Sequence, residues 1–562
     1  MTRIFAETAK SRDLADGRLA RALPLLSEMS AVTLVLAALA VGLQLKSLCY
    51  SADLGEDEAS HYVSGLAIHD YFLSGLGSSP LAFIKSFHSH YPDIGIGHWG
   101  PIYYFVEALW MLVFSTSLTS VLALSVTITS ATALGIYAYA RQTAGRWPAL
   151  FAACGFVLTP FVQAGTSGLM LDIPIALFCL GATYAYARYL ENGLVRHSVA
   201  FSLTASAAML IKGNAACLAL LPPLAVLFAR RFDLPRQLSF WLPAPIVVVL
   251  VGPWYALTYG MVAAGFRFQW SWHYVVTAVA ANAAFLFDSV GPAVLAAALL
   301  GVGATIARAW THRAAPLQSA ACAALFADWI FQSVAPADIQ SRYLAPLLPP
   351  LLILAADGVM IAADWLSRYF PWPMSAAEAR LSLLLALTIV PAAIASPVKP
   401  SLGFMAAAPQ VWHKLPPNNR AVLVVSNGPG EAGAVAALAM YDPHRPSLFA
   451  IRSSRLLGGG GYNDQDYVPR FKTARQVVAA IDSYAIPLVL FRPNVPGSLS
   501  WLHVNQVVEA ARLDPARWRE VVRVTAADPA VVLFEIRGNE NKPLEAKRLL
   551  ALSAPRALGA SE

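Results

Sequence analysis

The stretch Asp53-Leu-Gly-Glu-Asp-Glu-Ala-Ser-His-Tyr62 follows the first strongly apolar block of the chain, at residues 29–45. Its carboxylates and its histidine are those of Asp53, Glu56, Asp57, Glu58 and His61. Carboxylates at a membrane surface are costly unless they stay hydrated, form ion pairs or take part in chemistry. We therefore expect the chain to fold around this acidic stretch and to hold it at a membrane surface.

The composition is that of a membrane protein. Of the 562 residues, 57% are hydrophobic and only 13% are charged, far from the average for soluble domains. The apolar residues form repeated blocks of about 17–22, the length of a helix that crosses a bilayer. The net charge of +7 comes from Arg and Lys between these blocks, as the positive-inside rule predicts. The basic residues therefore indicate membrane lipids as partners and argue against nucleic acid.

The charge distribution also predicts the topology. Residues 1–28 carry several basic side chains before the first span, which places them in the cytoplasm. Residues 50–98 are then extracytoplasmic, and the amphipathic pieces 59–73 and 80–88 suit helices that lie in the membrane interface. Hydropathy predicts a polytopic α-helical protein with about eleven transmembrane helices in residues 29–397.

The position of Asp172 conflicts with a simple count of spans. Three apolar blocks separate Asp172 from the acidic stretch, and three crossings would put the two on opposite sides of the membrane. The basic residues that follow nevertheless place Asp172 outside the cytoplasm. We therefore predict that one of the three blocks is interfacial or broken, so that Asp172 and the acidic stretch share one face.

Beyond Pro397 the spacing of apolar residues changes, and strands alternate with helices. The predicted strands are 421–426, 447–451, 488–491, 521–524 and 531–536, and the predicted helices are 431–440, 474–484 and 503–513. This pattern predicts a small α/β domain in residues 398–562. The odd number of spans before it places that domain outside the cytoplasm.

Two segments of the sequence carry carboxylates that are candidates for catalysis. Asp57 and the acidic residues beside it belong either to a solvated loop or to a site where a carboxylate accepts a proton from a hydroxyl or amine. Desolvation at the membrane boundary is expected to raise the basicity of such a carboxylate. Asp172 begins an apolar helix, and it either caps that helix or joins the same site as a second carboxylate or cation ligand.

Three basic side chains lie in outward-facing segments. His98 opens an apolar block, where it either sits in the interface or contacts a phosphate. Lys212 and Arg342 fall on the side that the positive-inside rule disfavours for cations. They either snorkel to the surface or bind the phosphate of a lipid headgroup. The remaining candidates for the lining of a site are Asp53, Glu56, His61, Trp99, Tyr103 and Tyr343.

Five short motifs resemble those of GT-C glycosyltransferases, in particular the aminoarabinose lipid A transferases and the protein O-mannosyltransferases. They are Asp57-Glu58-Ala59, His98-Trp-Gly-Pro-Ile-Tyr-Tyr104, Leu171-Asp-Ile-Pro174, Lys212-Gly213 and Arg342-Tyr343-Leu-Ala-Pro346. In the second motif, Gly100 replaces the first proline of the family's His-Pro-Pro-Leu-Tyr-Tyr element. The resemblance covers residues 25–395, whereas the C-terminal domain matches only in position and α/β type.

The resemblance implies the GT-C fold and an enzyme of the bacterial inner membrane whose active site and C-terminal domain face the periplasm. The donor would be a sugar on undecaprenyl or decaprenyl phosphate, transferred with inversion to a lipid, glycan or protein. Asp57 would be the general base, and Glu58 and Asp172 would shape the acidic site. The donor phosphate would be held by His98, Lys212 and Arg342. No tightly bound cofactor is implied, and a divalent cation on Asp57 and Asp172 is left open.

Two other classes of protein remain open on the sequence alone. A transporter or flippase of lipid-linked saccharides could use the same ionisable residues as a translocation path, although the chain lacks the related halves common in transporters. The membrane part could also serve as a non-catalytic anchor for the C-terminal domain.

Overall fold

The computed structural model describes residues 2–544 and 549, except 267, 312–314, 371, 460–466, 495–500 and 526, with side chains from residue 25 onward. The helices up to residue 395 are α1 (Thr2–Ser47), α2 (Glu56–Asp70), α3 (Pro80–His90), α4 (Ile102–Val113), α5 (Leu118–Ala140), α6 (Arg146–Leu158), α7 (Pro160–Thr166), α8 (Asp172–Asn192), α9 (Val195–Met209), α10 (Leu221–Ala229), α11 (Leu238–Trp241), α12 (Pro243–Ala263), α13 (Trp272–Trp310), α14 (Pro316–Val334), α15 (Leu348–Ser367) and α16 (Met374–Ala395). Short 3₁₀ helices occur at Cys49–Ser51, Gly213–Ala219, Leu234–Arg236 and Ser341–Leu344, and a π-helical turn at Tyr71–Gly75.

The predicted fold class, a polytopic helical membrane protein, is confirmed. Seven helices of the described chain are long and apolar enough to cross a membrane, and the bent pair α6–α7 makes an eighth. The predicted number of about eleven spans is not confirmed by length and composition. Several predicted blocks form helices that are short, such as α4 with 12 residues and α9 with 15.

The chain between the acidic stretch and Asp172 shows how both come to lie on one side. Both ends of α4 contact α2: His61 Nδ1 bonds the Tyr104 hydroxyl at 3.0 Å, and the Tyr62 hydroxyl donates to the Thr116 carbonyl at 2.9 Å. Helix α5 then leaves this side, and α6 and α7, bent by 64°, return to it. The prediction of an interfacial or broken block agrees with this path.

Helix α13 illustrates how sequence sets the shape of a span. Its 39 residues are more than a bilayer requires. Gly291 interrupts the helical dihedral angles with a φ of 79°, and Pro292 follows it. Because proline removes a backbone donor and clashes with the preceding turn, the kink falls where these two residues stand.

The C-terminal part is an α/β domain, as predicted. Its helices are α17 (Phe404–Lys414), α18 (Gly428–Tyr441), α19 (Ser453–Leu456), α20 (Ala474–Ser483) and α21 (Leu502–Leu513). Its strands are β1 (Ala421–Val425), β2 (Phe449–Arg452), β3 (Gly458–Gly459), β4 (Val468–Pro469), β5 (Leu488–Phe491), β6 (Trp518–Val524) and β7 (Val531–Ile536). The main sheet has the order β2-β1-β5-β7-β6, with β2, β1 and β5 parallel. Every residue of β1 is buried, as expected for a central parallel strand.

Helix α2 does not lie in the membrane interface as predicted. All its residues from Glu58 to Asp70 except Ser60 are buried. The side chains around it come from α4 and from the C-terminal domain: a Cβ at Gly65 would overlap Glu107 of α4, and Gly433 of α18 packs against the Leu54 carbonyl just before α2. From Glu58 onward, α2 is therefore enclosed between the membrane helices and the C-terminal domain.

Candidate active site

One cavity gathers most of the predicted site residues. Its lining consists of Asp57, His61, His98, Trp99, Met170, Asp172, Lys212, Gly265, Asp338, Gln340, Arg342 and Tyr343. These residues come from the start of α2, the segment before α4, the start of α8, the connection after α9, the end of α12 and the segment before α15. All five segments that carry the sequence motifs therefore converge.

Asp57 forms an ion pair with Arg342, with 2.7 Å between Oδ2 and Nη2. Both side chains are partly open to the cavity, with exposed fractions of 31% and 27%. Burial is the largest single influence and raises the pKa of Asp57. The charge and hydrogen bond of Arg342, with contributions from His61 and Lys212, together bring the pKa below its usual value. The predicted rise in basicity is therefore wrong, because the sequence did not reveal that Arg342 would be the partner.

Asp172 forms the second ion pair of the cavity. Its Oδ1 accepts from Lys212 Nζ at 2.6 Å, and both side chains are nearly buried. Lys212 Nζ also lies 4.4 Å from the ring centre of Tyr343, a cation–π contact. The other carboxylate oxygen of Asp172, Oδ2, has no hydrogen-bond partner among the described residues.

Two histidines line the cavity as neutral rings. Burial lowers the pKa of His61 to about 3, and His61 Nδ1 bonds the Tyr104 hydroxyl. Burial also lowers the pKa of His98. Because a carbonyl only accepts, His98 Nδ1 must donate to the Met261 carbonyl, at 3.0 Å, which fixes the tautomer with its proton on Nδ1.

Gly100 explains the departure of the second motif from the family's sequence. A Cβ at this position would overlap the Leu210 carbonyl, and Ile102 N donates to the same carbonyl at 3.1 Å. The backbone before α4 thus packs against the end of α9, two residues before Lys212. The missing side chain at Gly100 permits this approach, which brings the His98 and Lys212 segments together.

Four lining residues were not predicted, and two of them, Asp338 and Gln340, have polar side chains. Gln340 Oε1 accepts from Arg342 Nε at 2.6 Å, and Gln340 Nε2 donates to Asp338 Oδ2 at 2.6 Å. The chain of hydrogen bonds therefore continues from Asp57 through Arg342 to the segment before α15. The only signal in the sequence was the polar run 336–341 directly before Arg342.

Four predicted site residues do not line the cavity. Asp53 is buried in the domain interface, where its carboxylate accepts from the backbone N–H groups at the start of α17. Glu56 is exposed, and Tyr103 is buried in a hydrophobic cluster. Glu58 bonds Gly55 and Lys399 instead of facing Asp57's cavity.

The cavity does not fit the divalent cation that was left open. Within the described residues, no group of three or more His, Cys, Asp and Glu side chains is arranged to hold a metal ion. The two carboxylates that would bind it, Asp57 and Asp172, are each paired with a cationic side chain. The two pairs therefore already supply the positive charge next to these carboxylates.

The chain resembles known membrane enzymes in sequence and in fold. The family model for dolichyl-phosphate-mannose-protein mannosyltransferases matches residues 98–257. A sequence comparison with curated proteins finds no match. The structure of ArnT from Cupriavidus metallidurans in the apo state aligns with a TM-score of 0.56 at 15% identity, covering 92% of this chain and 99% of ArnT.

Two further solved structures align over most of the chain. ArnT from Cupriavidus metallidurans bound to undecaprenyl phosphate gives a TM-score of 0.55 at 15% identity, covering 91% of this chain and 99% of that one. The Archaeoglobus fulgidus oligosaccharyltransferase in the apo form gives 0.53 at 14% identity, covering 82% and 69%. At such identities the likeness shows a shared fold. In fold, and in sequence over residues 98–257, the chain is therefore similar to the GT-C superfamily of membrane glycosyltransferases.

Proposed function

We propose that the protein transfers a sugar from a polyprenyl-phosphate carrier to an acceptor outside the cytoplasm. The observation that carries the proposal is the convergence of two carboxylate–cation pairs, Asp57–Arg342 and Asp172–Lys212, on one cavity. A similar fold binds undecaprenyl phosphate in ArnT, and an archaeal oligosaccharyltransferase of this fold was solved with a tethered acceptor peptide. These neighbours support a lipid-linked donor, with a lipid, glycan or protein as the acceptor.

The cations of the cavity suit the phosphate of such a donor. Arg342 offers a planar set of N–H donors, which binds phosphate oxygens well, and Lys212 adds a second charge. His98 has its Nδ1 proton committed to Met261, so its Nε2 is an acceptor in the neutral ring. His98 therefore suits a sugar hydroxyl better than a phosphate oxygen, which changes the role implied by the resemblance.

Asp57 would act as the general base of the transfer. The acceptor oxygen or nitrogen attacks the anomeric carbon, and its proton passes to Asp57. The bond from the anomeric carbon to the phosphate oxygen breaks, and the electron pair leaves with the polyprenyl phosphate. Attack from the face opposite to the phosphate inverts the configuration. Arg342 and Lys212 stabilise the phosphate charge that develops.

The ion pair with Arg342 also suggests the order of the steps, with donor binding before proton transfer. In the free protein Arg342 holds Asp57 ionised, which makes it a weak base. A donor phosphate bound next to Arg342 would share its positive charge, so that the Asp57 carboxylate gains basicity when the donor is in place. This arrangement favours binding of the donor before proton transfer.

The domain organisation and membrane orientation proposed from the sequence place the site outside the cytoplasm. Residues 1–28 would be cytoplasmic, residues 29–397 would form the catalytic membrane domain, and residues 398–562 would form a periplasmic domain on the bacterial inner membrane. Basic side chains at the ends of the helices away from the cavity, such as Arg146, Arg188 and Arg368, support this orientation.

A reconstituted assay tests the proposal. The purified protein in liposomes is given lipid-linked sugar donors of different sugars, together with candidate acceptors, and the products are identified by mass spectrometry. Transfer of sugar with release of polyprenyl phosphate is expected. Lipids that co-purify with the protein, identified in parallel, name the carrier. Movement of the intact donor across the bilayer without sugar transfer would instead identify a flippase.

A further inference from the structure

Glu58 lies next to Asp57 in the sequence but serves a different part of the molecule. Its Oε2 accepts from the Gly55 backbone N–H at 2.7 Å, which caps the start of α2. The same oxygen accepts from Lys399 Nζ at 2.6 Å, and both side chains of this pair are largely buried. The partners of Glu58 are thus outside the cavity that Asp57 lines.

Glu58 also packs against Gly168, in the loop that leads to Asp172. A Cβ at Gly168 would overlap Glu58 Oε1, so a side chain there would displace the Glu58 carboxylate. The Gly168 carbonyl is held from the other side by the Ser125 hydroxyl at 2.7 Å. Glu58 therefore fills the space between the first turn of α2 and the loop before α8, the two segments that carry the catalytic candidates.

Lys399, in the connection between the two domains, contacts both Glu58 and the loop before α8. It lies after the last membrane helix, which ends at Ala395, and before α17. Its backbone N–H donates to the Ser47 carbonyl at 2.9 Å, and its Nζ reaches the Ser167 carbonyl at 3.3 Å. The Lys399 backbone thus ties the domain connection to the end of α1, and its side chain ties it to the loop before α8.

We propose that Glu58 and Lys399 are positioning residues that fix Asp57 relative to Asp172 and couple the C-terminal domain to the active site. A buried ion pair that loses one partner leaves an uncompensated charge, and here that charge sits in the first turn of α2. The turn that carries Asp57 would loosen, and its alignment with Arg342 and the acceptor would be lost. The effect on catalysis rests on the proposed function.

The test uses Lys399→Met, with Arg445→Met as a matched control. Arg445 Nε pairs with Asp70 Oδ2 at 2.9 Å at the far end of α2, and this pair is also largely buried. Each variant removes a largely buried cation that follows the last membrane helix and pairs with a carboxylate of α2. The two sites differ in their distance from Asp57, because Asp70 lies about 20 Å along the helix from it. Neither Lys399 nor Arg445 lines the cavity.

Lys399→Met is expected to lower kcat about 10- to 100-fold, the size of effect that a misplacement of about 1 Å produces. The KM for the lipid-linked donor changes much less, because Lys212 and Arg342 remain. The acid limb of kcat/KM moves to higher pH as the contact of Asp57 with Arg342 weakens. Lys399→Arg restores most of kcat, whereas Arg445→Met lowers thermal stability without moving the pH profile.

Glu58→Gln provides a second variant that keeps the hydrogen bond to Gly55 and loses only the charge. It should reproduce the loss of kcat, and Glu58→Gln combined with Lys399→Met should be no worse than Lys399→Met alone. Additive losses in the double variant would contradict a shared role. If Arg445→Met and Lys399→Met change kcat and the pH profile equally, Lys399 only stabilises the fold, and a specific positioning role is contradicted.

Hydrogen exchange separates this inference from the proposed function, because it needs no activity. In Lys399→Met the amides of residues 55–60 and 167–172 should exchange faster than in the unmodified protein, and in Arg445→Met they should not. Unchanged exchange in Lys399→Met overturns the inference. Absence of sugar transfer by the unmodified protein would overturn the proposed function, while the exchange result would still decide on the role of Lys399.

Discussion

The interface with the C-terminal domain and the cavity both gather charged side chains, and these are bonded differently in the two regions. In the interface with the C-terminal domain, Asp53 accepts from three backbone N–H groups at 2.6–2.8 Å. Glu431, which is fully buried, accepts from Arg452, Ser453 and Ser454. Their hydrogen-bonding capacity is used within the protein.

In the cavity the carboxylates are less completely bonded. Asp57 and Arg342 are each partly exposed, and Asp172 leaves one oxygen without a partner among the described residues. Leaving such groups underbonded costs free energy, and sites that act on a ligand are where such costs are found. The comparison indicates that Asp53 and Glu431 stabilise the fold, whereas Asp57 and Asp172 await a ligand.

The largest expected effect comes from Asp57→Asn, which removes the proposed base. Loss of a general base lowers rates by about 100- to 10,000-fold, and we expect kcat for sugar transfer to fall within this range. The KM for the donor should change little, because Arg342 and Lys212 keep their charges. Steady-state kinetics with a lipid-linked donor measures both. Full activity in a well-folded Asp57→Asn protein would remove Asp57 from the role of base.

Arg342→Gln should give the next largest effect and a change in pH dependence. Loss of a charge-assisted hydrogen bond to the donor phosphate costs about 1.5–3 kcal/mol, so the donor KM should rise more than tenfold. Without Arg342, the largest influence that opposes burial is lost, so the pKa of Asp57 rises and the carboxylate is protonated at higher pH. The acid limb of kcat/KM should therefore move upward in pH.

Arg342→Lys serves as the control for this change, since it keeps the charge but loses the planar set of donors. It should keep the acid limb close to its original pH while still weakening donor binding. An unmoved acid limb in Arg342→Gln would show that another group controls the protonation step.

The convergence of the cavity could be predicted from the sequence, because charged residues beside apolar blocks are rare and each costs free energy unless it has a role. Asp57, Asp172, Lys212 and Arg342 were identified on this basis, and the motifs supplied their order. The five main strands of the C-terminal sheet were predicted within three residues, because runs of β-branched residues between turns are a strong local signal.

The residues alone do not show which acid of the acidic stretch faces the cavity, and only the resemblance points to Asp57. Helix α2 begins at Glu56, and successive side chains on a helix point about 100° apart, so Asp57 and Glu58 diverge. Their partners, Arg342 and Lys399, are distant in the sequence and become neighbours only in the fold. The sign of the pKa shift at Asp57 was wrong for the same reason.

Asp53→Ala should affect stability rather than catalysis. The substitution leaves the backbone N–H groups of Leu402, Gly403 and Met405 without their common acceptor, at a cost of about 1–3 kcal/mol. The midpoint of thermal unfolding should fall, and kcat measured per folded protein should not. Asp53→Asn keeps one acceptor oxygen and should be less destabilising. A loss of kcat without a loss of stability would show that Asp53 acts in catalysis and does not merely stabilise the domain interface.

The smallest effect should come from Tyr343→Leu, which removes the ring beneath Lys212 Nζ. A cation–π contact at a partly exposed site contributes about 0.5–1 kcal/mol, which corresponds to a two- to fivefold loss of affinity. Titration with undecaprenyl phosphate measures the affinity directly. Tyr343→Phe keeps the ring and should bind as the unmodified protein does. If both variants lose affinity equally, the hydroxyl rather than the ring contacts the donor, and Tyr343 joins the underbonded polar groups of the cavity.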